Sequence, residues 1–211
     1  MEKFTRLYLI RHGEVEERYH RVFGGRIDME LSPRGHAQAK VLAEYLHGTH
    51  LDALYASPMK RAQQTLAPLA EKYPHHTPRA MHDLREIDFG VWTGLSWDQV
   101  REKFGISAFD WLEQLEKAAI PEAESARQFQ ARVEPCLHQL LKEHPGESVA
   151  VVCHGGVIRM LLSLLLEVPV TKMARLQIEY GSLTVVEHHP RKTEVELLNF
   201  TPWRDHKKTI P

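Results

Sequence analysis

The chain has 211 residues, 43% of them hydrophobic, and a formal net charge of −1 at pH 7. That length fits one domain over residues 1–211 with a sizeable buried core. A near-neutral balance gives no global attraction for nucleic acid or an anionic membrane, so any affinity for anions must come from a local cluster. The longest apolar run, residues 160–166, is about a third of the ~20 residues that a membrane-spanning helix needs. The N-terminus, MEKFTRLYLI, passes into a strand pattern without the layout of a signal peptide. Cys136 and Cys153 sit in apolar surroundings and read as reduced core positions, which points to a cytoplasmic protein.

A strand is expected over residues 6–10, followed by a polar, basic loop over 13–31. Ser32-Pro33 then caps and starts a helix, with Ala37, Val41, Leu42, Tyr45 and Leu46 on its apolar face. Residues 52–56 (DALYA) read as a second strand, and Ser57-Pro58 repeats the cap-plus-proline start of a helix reaching about Tyr73. A short strand at 79–82 leads to the loop LREIDFGVWTG. Short helices follow at 96–104 and 108–117, then a long helix over 125–144 in which Pro135 marks a kink or break. Residues 148–153 (SVAVVC) are apolar on both alternating sets, as in a central parallel strand covered on both faces. Gly155-Gly156 precedes a helix over 157–166. Residues 177–180, 183–188 and 194–198 alternate like strands, with a turn at Gly181-Ser182, and the tail after Asn199 has no periodicity. Alternating strands and helices predict an α/β fold: a three-layer sandwich with a mostly parallel central sheet and helices on both faces.

The chemistry gathers at strand ends, where ligands bind in open α/β sheets. Arg11, His12 and Gly13 follow the first strand, Arg61 lies in the first turn of the helix after the second, and His154 and Gly155 follow the clearest strand. Arginine forks onto two phosphate oxygens, and a helix N-terminus favours anions. Histidine serves as base or nucleophile. Glu86, in the loop after the 79–82 strand, is the candidate general acid, with Asp83 and Asp88 as alternatives. His75-His76 and His188-His189 lack metal-ligand spacing with acidic or cysteine partners and read as surface residues.

The segments LIRHGE, LSPRGHAQA, SPMKRAQQT, LREIDFGVWTG and CHGGVIR, in this order over about residues 7–159, resemble the histidine phosphatase superfamily, the phosphoglycerate-mutase-like phosphatases. The resemblance implies a phosphohistidine mechanism with His12 as nucleophile, Arg11, Arg61 and His154 as phosphate clamp, and Glu86 as acid/base. It implies no metal ion and no organic cofactor. The chain departs from the family pattern at Val15 (often Thr or Ser), Arg18 (often a phosphate-holding Asn) and Gly24 (often Gln). Arg18 either replaces that Asn in binding substrate or points into water.

The reading is a phosphomonoesterase acting on a small organic phosphate. Alternatives are a phosphoglycerate mutase, a fructose-2,6-bisphosphatase using the Arg18, Arg21 and Arg26 loop for a second phosphate, or a catalytically silent binding module on the same fold. IDFGVWTG after Glu86 resembles the phosphatase branch rather than the mutases. The segments EIDFGVWTGLSW, EYGS and NFTPW are similar to α-ribazole phosphatases of cobalamin assembly, which makes α-ribazole 5′-phosphate the first substrate expected. Phe89, Trp92 and Trp97 are candidates to wall a pocket for its flat group.

Overall fold

A computed structural model describes residues 4–205. Residues 1–3 and 206–211 lie outside the described residues, and with them the outermost part of the N-terminal and tail expectations. Six strands, β1 (Thr5–Arg11), β2 (Ala53–Ala56), β3 (Arg79–Ala80), β4 (Ser148–Cys153), β5 (Leu183–His188) and β6 (Thr193–Phe200), form one sheet in the order β3-β2-β4-β1-β5-β6. The β3–β2, β2–β4 and β4–β1 pairs are parallel, and β5 is antiparallel to both of its neighbours.

Alternation along the central strands supplies both faces. Leu7, Leu9, Val149 and Val151 point into one core with α5 (Ala126–Glu143) and α6 (Gly155–Leu166). Tyr8, Ile10, Ala150 and Val152 point into the other with α1 (Pro33–Leu46) and α2 (Lys60–Lys72). The expected three layers are present. Each fully buried aliphatic side chain contributes about 1.5–3 kcal/mol, so β1 and β4, buried along nearly their whole length, are the fixed frame for whatever follows them.

Several local expectations change. Ser57-Pro58 does not start α2; the helix begins at Lys60 after Met59, and no side chain caps it. Residues 177–180 form no strand. Residues 108–117 divide into a 3-10 turn, Ala108–Asp110, and α4 (Trp111–Glu116), after α3 (Trp97–Phe104). Pro135 does not break α5; the lost rung is tolerated inside a helix that buries Phe129, Val133, Leu137 and Leu140 on either side of it. The tail closes with a short α7 (Pro202–Asp205).

Register brings the chemistry together. Arg11 pairs with Cys153 and Ala56 with Val152. The next residue of each strand, His12, Ser57 and His154, therefore leaves the same edge of the sheet side by side.

Candidate active site

His12 is 4% exposed. Its Nδ1 lies 2.8 Å from the carbonyl of Gly13, which can only accept, so Nδ1 carries the proton and Nε2 the lone pair. Arg61 Nε donates to that Nε2 at 3.2 Å, which again requires a lone pair there. Burial, then the charges of Arg61 and Arg11, hold the imidazole well below its usual pKa. The ring is thus neutral and oriented, with a nucleophilic nitrogen facing the cations.

Arg61 is 2% exposed and enters from the first turn of α2. Its terminal nitrogens donate to the carbonyls of Ile27 (2.7 Å) and Gly25 (3.0 Å), which locks the guanidinium plane. Burial lowers its pKa to about 10, still charged at neutral pH. Arg11 donates through Nη1 to Ile178 O at 2.6 Å and lies 4.0 Å from the centroid of the Tyr180 ring. Its buried Nε has no hydrogen-bond partner among the described residues. His154, fully buried, stands edge-on to His12 with ring centroids 5.2 Å apart. Burial and the neighbouring Arg61 also depress its pKa well below the usual value.

Glu86 faces this group from the loop after β3. Its carboxylate accepts from the backbone N–H of Gly156 at 3.2 Å and of Ile87 at 3.1 Å, at the N-terminus of α6. A Cβ on residue 156 would come within 2.5 Å of Glu86 Oε1, so a larger residue there would push the carboxylate from this position. A cavity of about 640 Å³ opens over the cluster and is lined by Arg11, His12, Arg61, Glu86 and Gly155 among others. The guanidiniums of Arg11 and Arg61, a neutral imidazole whose Nε2 lone pair faces Arg61, and the Glu86 carboxylate fit a phosphoryl dianion and its transfer.

Residues 7–201 match the profile of the histidine phosphatase superfamily (branch 1). The chain belongs to the histidine phosphatase superfamily. It is 32% identical over 197 residues to phosphoserine phosphatase 1 of Hydrogenobacter thermophilus, covering 93% of each chain. It is 26% identical to the adenosylcobalamin/α-ribazole phosphatase of Escherichia coli, covering 92% of this chain and 95% of that one. A solved mycobacterial glucosyl-3-phosphoglycerate phosphatase in complex with inorganic phosphate superposes with a TM-score of 0.81 at 28% identity, over 93% of this chain and 98% of that one.

For this histidine phosphatase, Arg11, His12, Arg61 and Glu86, four of the five residues expected at the clamp and acid positions, line one cavity at the C-terminal ends of the parallel strands; the fifth, His154, is fully buried directly against His12, and Gly155 lies against Arg11 and Arg159. Arg18 does not join them. Its side chain is 68% exposed and pairs with Glu16 at 2.9 Å. Arg26 faces Asp88 and Arg21 lies over Trp97, so the arginine loop brings no second cationic group to the cavity wall. Asp83 and Asp88 stay out of that wall as well; Asp83 lies beside His82, and Asp88 accepts from Gly90 N. Trp92 is 1% exposed and belongs to the core. The aromatic rim of the cavity includes Trp97, Phe109 and Trp111, with Phe89 reaching the lining from the core.

Sequence reasoning missed three supports. Thr65 accepts from Gly13 N at 2.9 Å and donates to Arg61 O at 2.7 Å, tying the loop after β1 to α2. Arg132 of α5 donates to the carbonyls of Asp83, Arg85 and Glu86 while paired with Glu124, and so fixes the acid loop. Arg159 lines the cavity while its terminal nitrogens hold Gly155 O and Leu176 O. Its place in CHGGVIR, one helical turn after Gly155, was the available signal.

The reading of His188-His189 as lacking acidic partners is also corrected. Glu187, His189 and Glu194 bring ligand atoms within 4.8 Å of one another. The same carboxylates bind Arg6 and Lys192, which makes the group a surface ion-pair cluster across β5 and β6. Among the described residues no helix is long and apolar enough to cross a membrane.

Proposed function

We propose that the protein is a phosphomonoesterase that transfers the phosphoryl group of a small organic phosphate to His12 Nε2 and then to water. The observation that carries this reading is the His12 tautomer: Nδ1–H bound to a carbonyl, Nε2 bearing a lone pair toward the buried Arg61. In the free enzyme Arg61 Nε occupies that lone pair. An entering phosphate accepts the Arg61 N–H instead and frees Nε2 for in-line attack. The P–N bond forms as the P–O bond to the leaving group breaks, and protonated Glu86 gives its proton to the departing alkoxide. Glu86, now a carboxylate, takes a proton from water, whose oxygen attacks phosphorus and displaces His12. Arg11 and Arg61 neutralise the equatorial oxygens throughout.

The leaving group that best fits the rim is flat and apolar. Phe89, Trp97, Phe109 and Trp111 line the outer cavity, which supports α-ribazole 5′-phosphate as the first substrate to test. Phosphoserine, the substrate in the name of a 32% identical relative, is the second. The deciding experiment is a rapid-quench trap with a panel of both esters, 3-phosphoglycerate, fructose 2,6-bisphosphate and p-nitrophenyl phosphate. An acid-labile, base-stable phosphate on His12, absent with all turnover in His12→Ala, is expected. Good turnover without a trapped phosphohistidine, or phosphate on His154, overturns the mechanism. A preference for α-ribazole 5′-phosphate of less than about tenfold in kcat/KM, ~1.4 kcal/mol, leaves a broad phosphatase.

A further inference from the structure

Ser57 ends β2 where the sequence suggests a helix cap, yet its hydroxyl takes no part in capping α2. It is fully buried, and its Oγ lies 2.7 Å from His154 Nε2, a contact between residues 97 positions apart. Among the described residues the only other group on that oxygen is the backbone N–H of Met59, at 3.4 Å, which can only donate. The single hydroxyl proton therefore has one acceptor within reach, the lone pair on His154 Nε2. A neutral imidazole that accepts at Nε2 carries its proton at Nδ1. That Nδ1 is buried and has no hydrogen-bond partner among the described residues, in a ring standing edge-on to His12. Leaving a buried donor unpaired is costly, so the site holds in readiness a proton donor that no described residue uses in the free protein.

We infer that Ser57 is a positioning residue for phosphoryl transfer: by donating to Nε2 it fixes His154 as the Nδ1–H tautomer, whose free N–H then binds a phosphoryl oxygen. The two histidines are thereby made complementary. Both are neutral and both carry the proton on Nδ1. His12 spends that proton on Gly13 O and presents a lone pair, whereas His154 has its lone pair covered by Ser57 and presents a proton. Burial beside Arg61 and Arg11, which keeps His154 uncharged, makes the choice of tautomer matter, because a doubly protonated ring would need no such selection. The inference rests on the reading of this site as a phosphomonoesterase centre.

Two-bond ¹H–¹⁵N correlation spectra of the wild-type protein at pH 7, with the His154 signals assigned by their loss in His154→Asn, test it without relying on catalysis. The expected pattern for His154 is a protonated Nδ1 and an unprotonated Nε2. Ser57→Ala frees Nε2 to take the proton, so the pattern should mix or invert, and kcat should fall by about 10- to 100-fold, less than the ~10⁴ lost when a triad histidine is held in the wrong tautomer. Ser57→Thr keeps the hydroxyl and should restore the pattern and most of the rate. A wild-type His154 protonated at Nε2 overturns the inference, as does a Ser57→Ala protein in which either the tautomer or the rate is unchanged. Where the alanine variant does not fold, the wild-type and threonine spectra decide. Absence of any wild-type turnover on phosphomonoesters sinks the enzymatic reading instead, and is scored separately from the tautomer.

Discussion

At the floor of the cavity His12 and Arg61 are 4% and 2% exposed, with His154 fully buried against His12, and each is fixed by strand register, a carbonyl or a neighbouring hydroxyl. At its rim Phe109 is 71% exposed, and Trp97, Trp111 and Arg175 come from short helices and 3-10 turns. The floor is an extension of the central sheet, so its geometry is as rigid as the core that supports it. The rim elements are anchored through Phe89, Val100 and Leu115, which are buried in the core, and their exposed side chains, Phe109 above all, are free to differ at little cost to the fold. Chemistry common to many phosphate esters belongs to the first region, and discrimination among leaving groups belongs to the second.

The sharpest way to break that division is through Glu86, which sits between floor and rim. Removing a general acid costs about 10²–10⁴-fold. Glu86→Gln should lose that much on an alkyl phosphate and far less on p-nitrophenyl phosphate, whose phenolate leaves without a proton. Steady-state kcat on both substrates checks it. Equal losses would make Glu86 a binding residue, and no loss at all would return attention to the other carboxylates of the cavity wall, Glu14 and Glu179.

A second test addresses the cost of the buried floor. His12 and His154 have folded pKa values well below 6.5, chiefly from burial. Below about pH 6.5 the unfolded chain takes up protons that the folded protein refuses. Stability is therefore present above that pH and lost as pH falls, by up to about 1.4 kcal/mol per pH unit for each histidine. Urea unfolding at pH 7 and pH 5.5 should show the loss, and His154→Asn should lessen the pH slope. An unchanged slope would mean that His154 is not buried in its neutral form.

How much of this was legible in the sequence follows the same line between floor and rim. The strand ends could be read because β1 and β4 are apolar on both faces, and only central parallel strands tolerate that pattern. Their register then delivers Arg11, His12 and His154 together. Ser57 was misread because Ser57-Pro58 carries the same local signal as Ser32-Pro33. Ser32 does cap its helix, through Gly35 N at 3.0 Å, whereas Ser57 finds a tertiary partner in His154. Residues 177–180 alternate like a strand, but their backbone is claimed by side chains, with Arg11 on Ile178 O and Trp203 on Tyr180 O. Such partners are distant in sequence and leave no periodic trace. Arg18 stands where a phosphate-binding residue is common in the family, and only the coordinates reveal that Glu16, two residues away, holds it.

Arg132 gives a smaller, intermediate effect. It ties α5 to the acid loop by holding three carbonyls at 2.6–3.2 Å. Arg132→Gln should loosen Glu86 without touching the clamp. About a tenfold fall in kcat on alkyl phosphates is expected, since imprecise placement of a catalytic group is costly, with the inhibition constant for inorganic phosphate unchanged. A parallel rise in that constant would show that the acid loop also shapes the clamp.

The smallest effect is expected at Phe109, and it tests the rim alone. The ring packs edge-on against Trp97 with centroids 5.2 Å apart, yet most of its surface faces solvent. Truncating an exposed side chain leaves stability within about 0.5 kcal/mol, so the melting temperature of Phe109→Ala should match the wild type. An aromatic contact with a flat leaving group is worth about 0.5–1.5 kcal/mol beyond burial. The ratio of kcat/KM for α-ribazole 5′-phosphate to that for phosphoserine should therefore fall by about three- to tenfold, while phosphate inhibition stays constant. Equal losses on both esters would make Phe109 a cover that excludes water from the phosphohistidine. A lowered melting temperature would place it in the core's support and erase the distinction between rim and floor at that position.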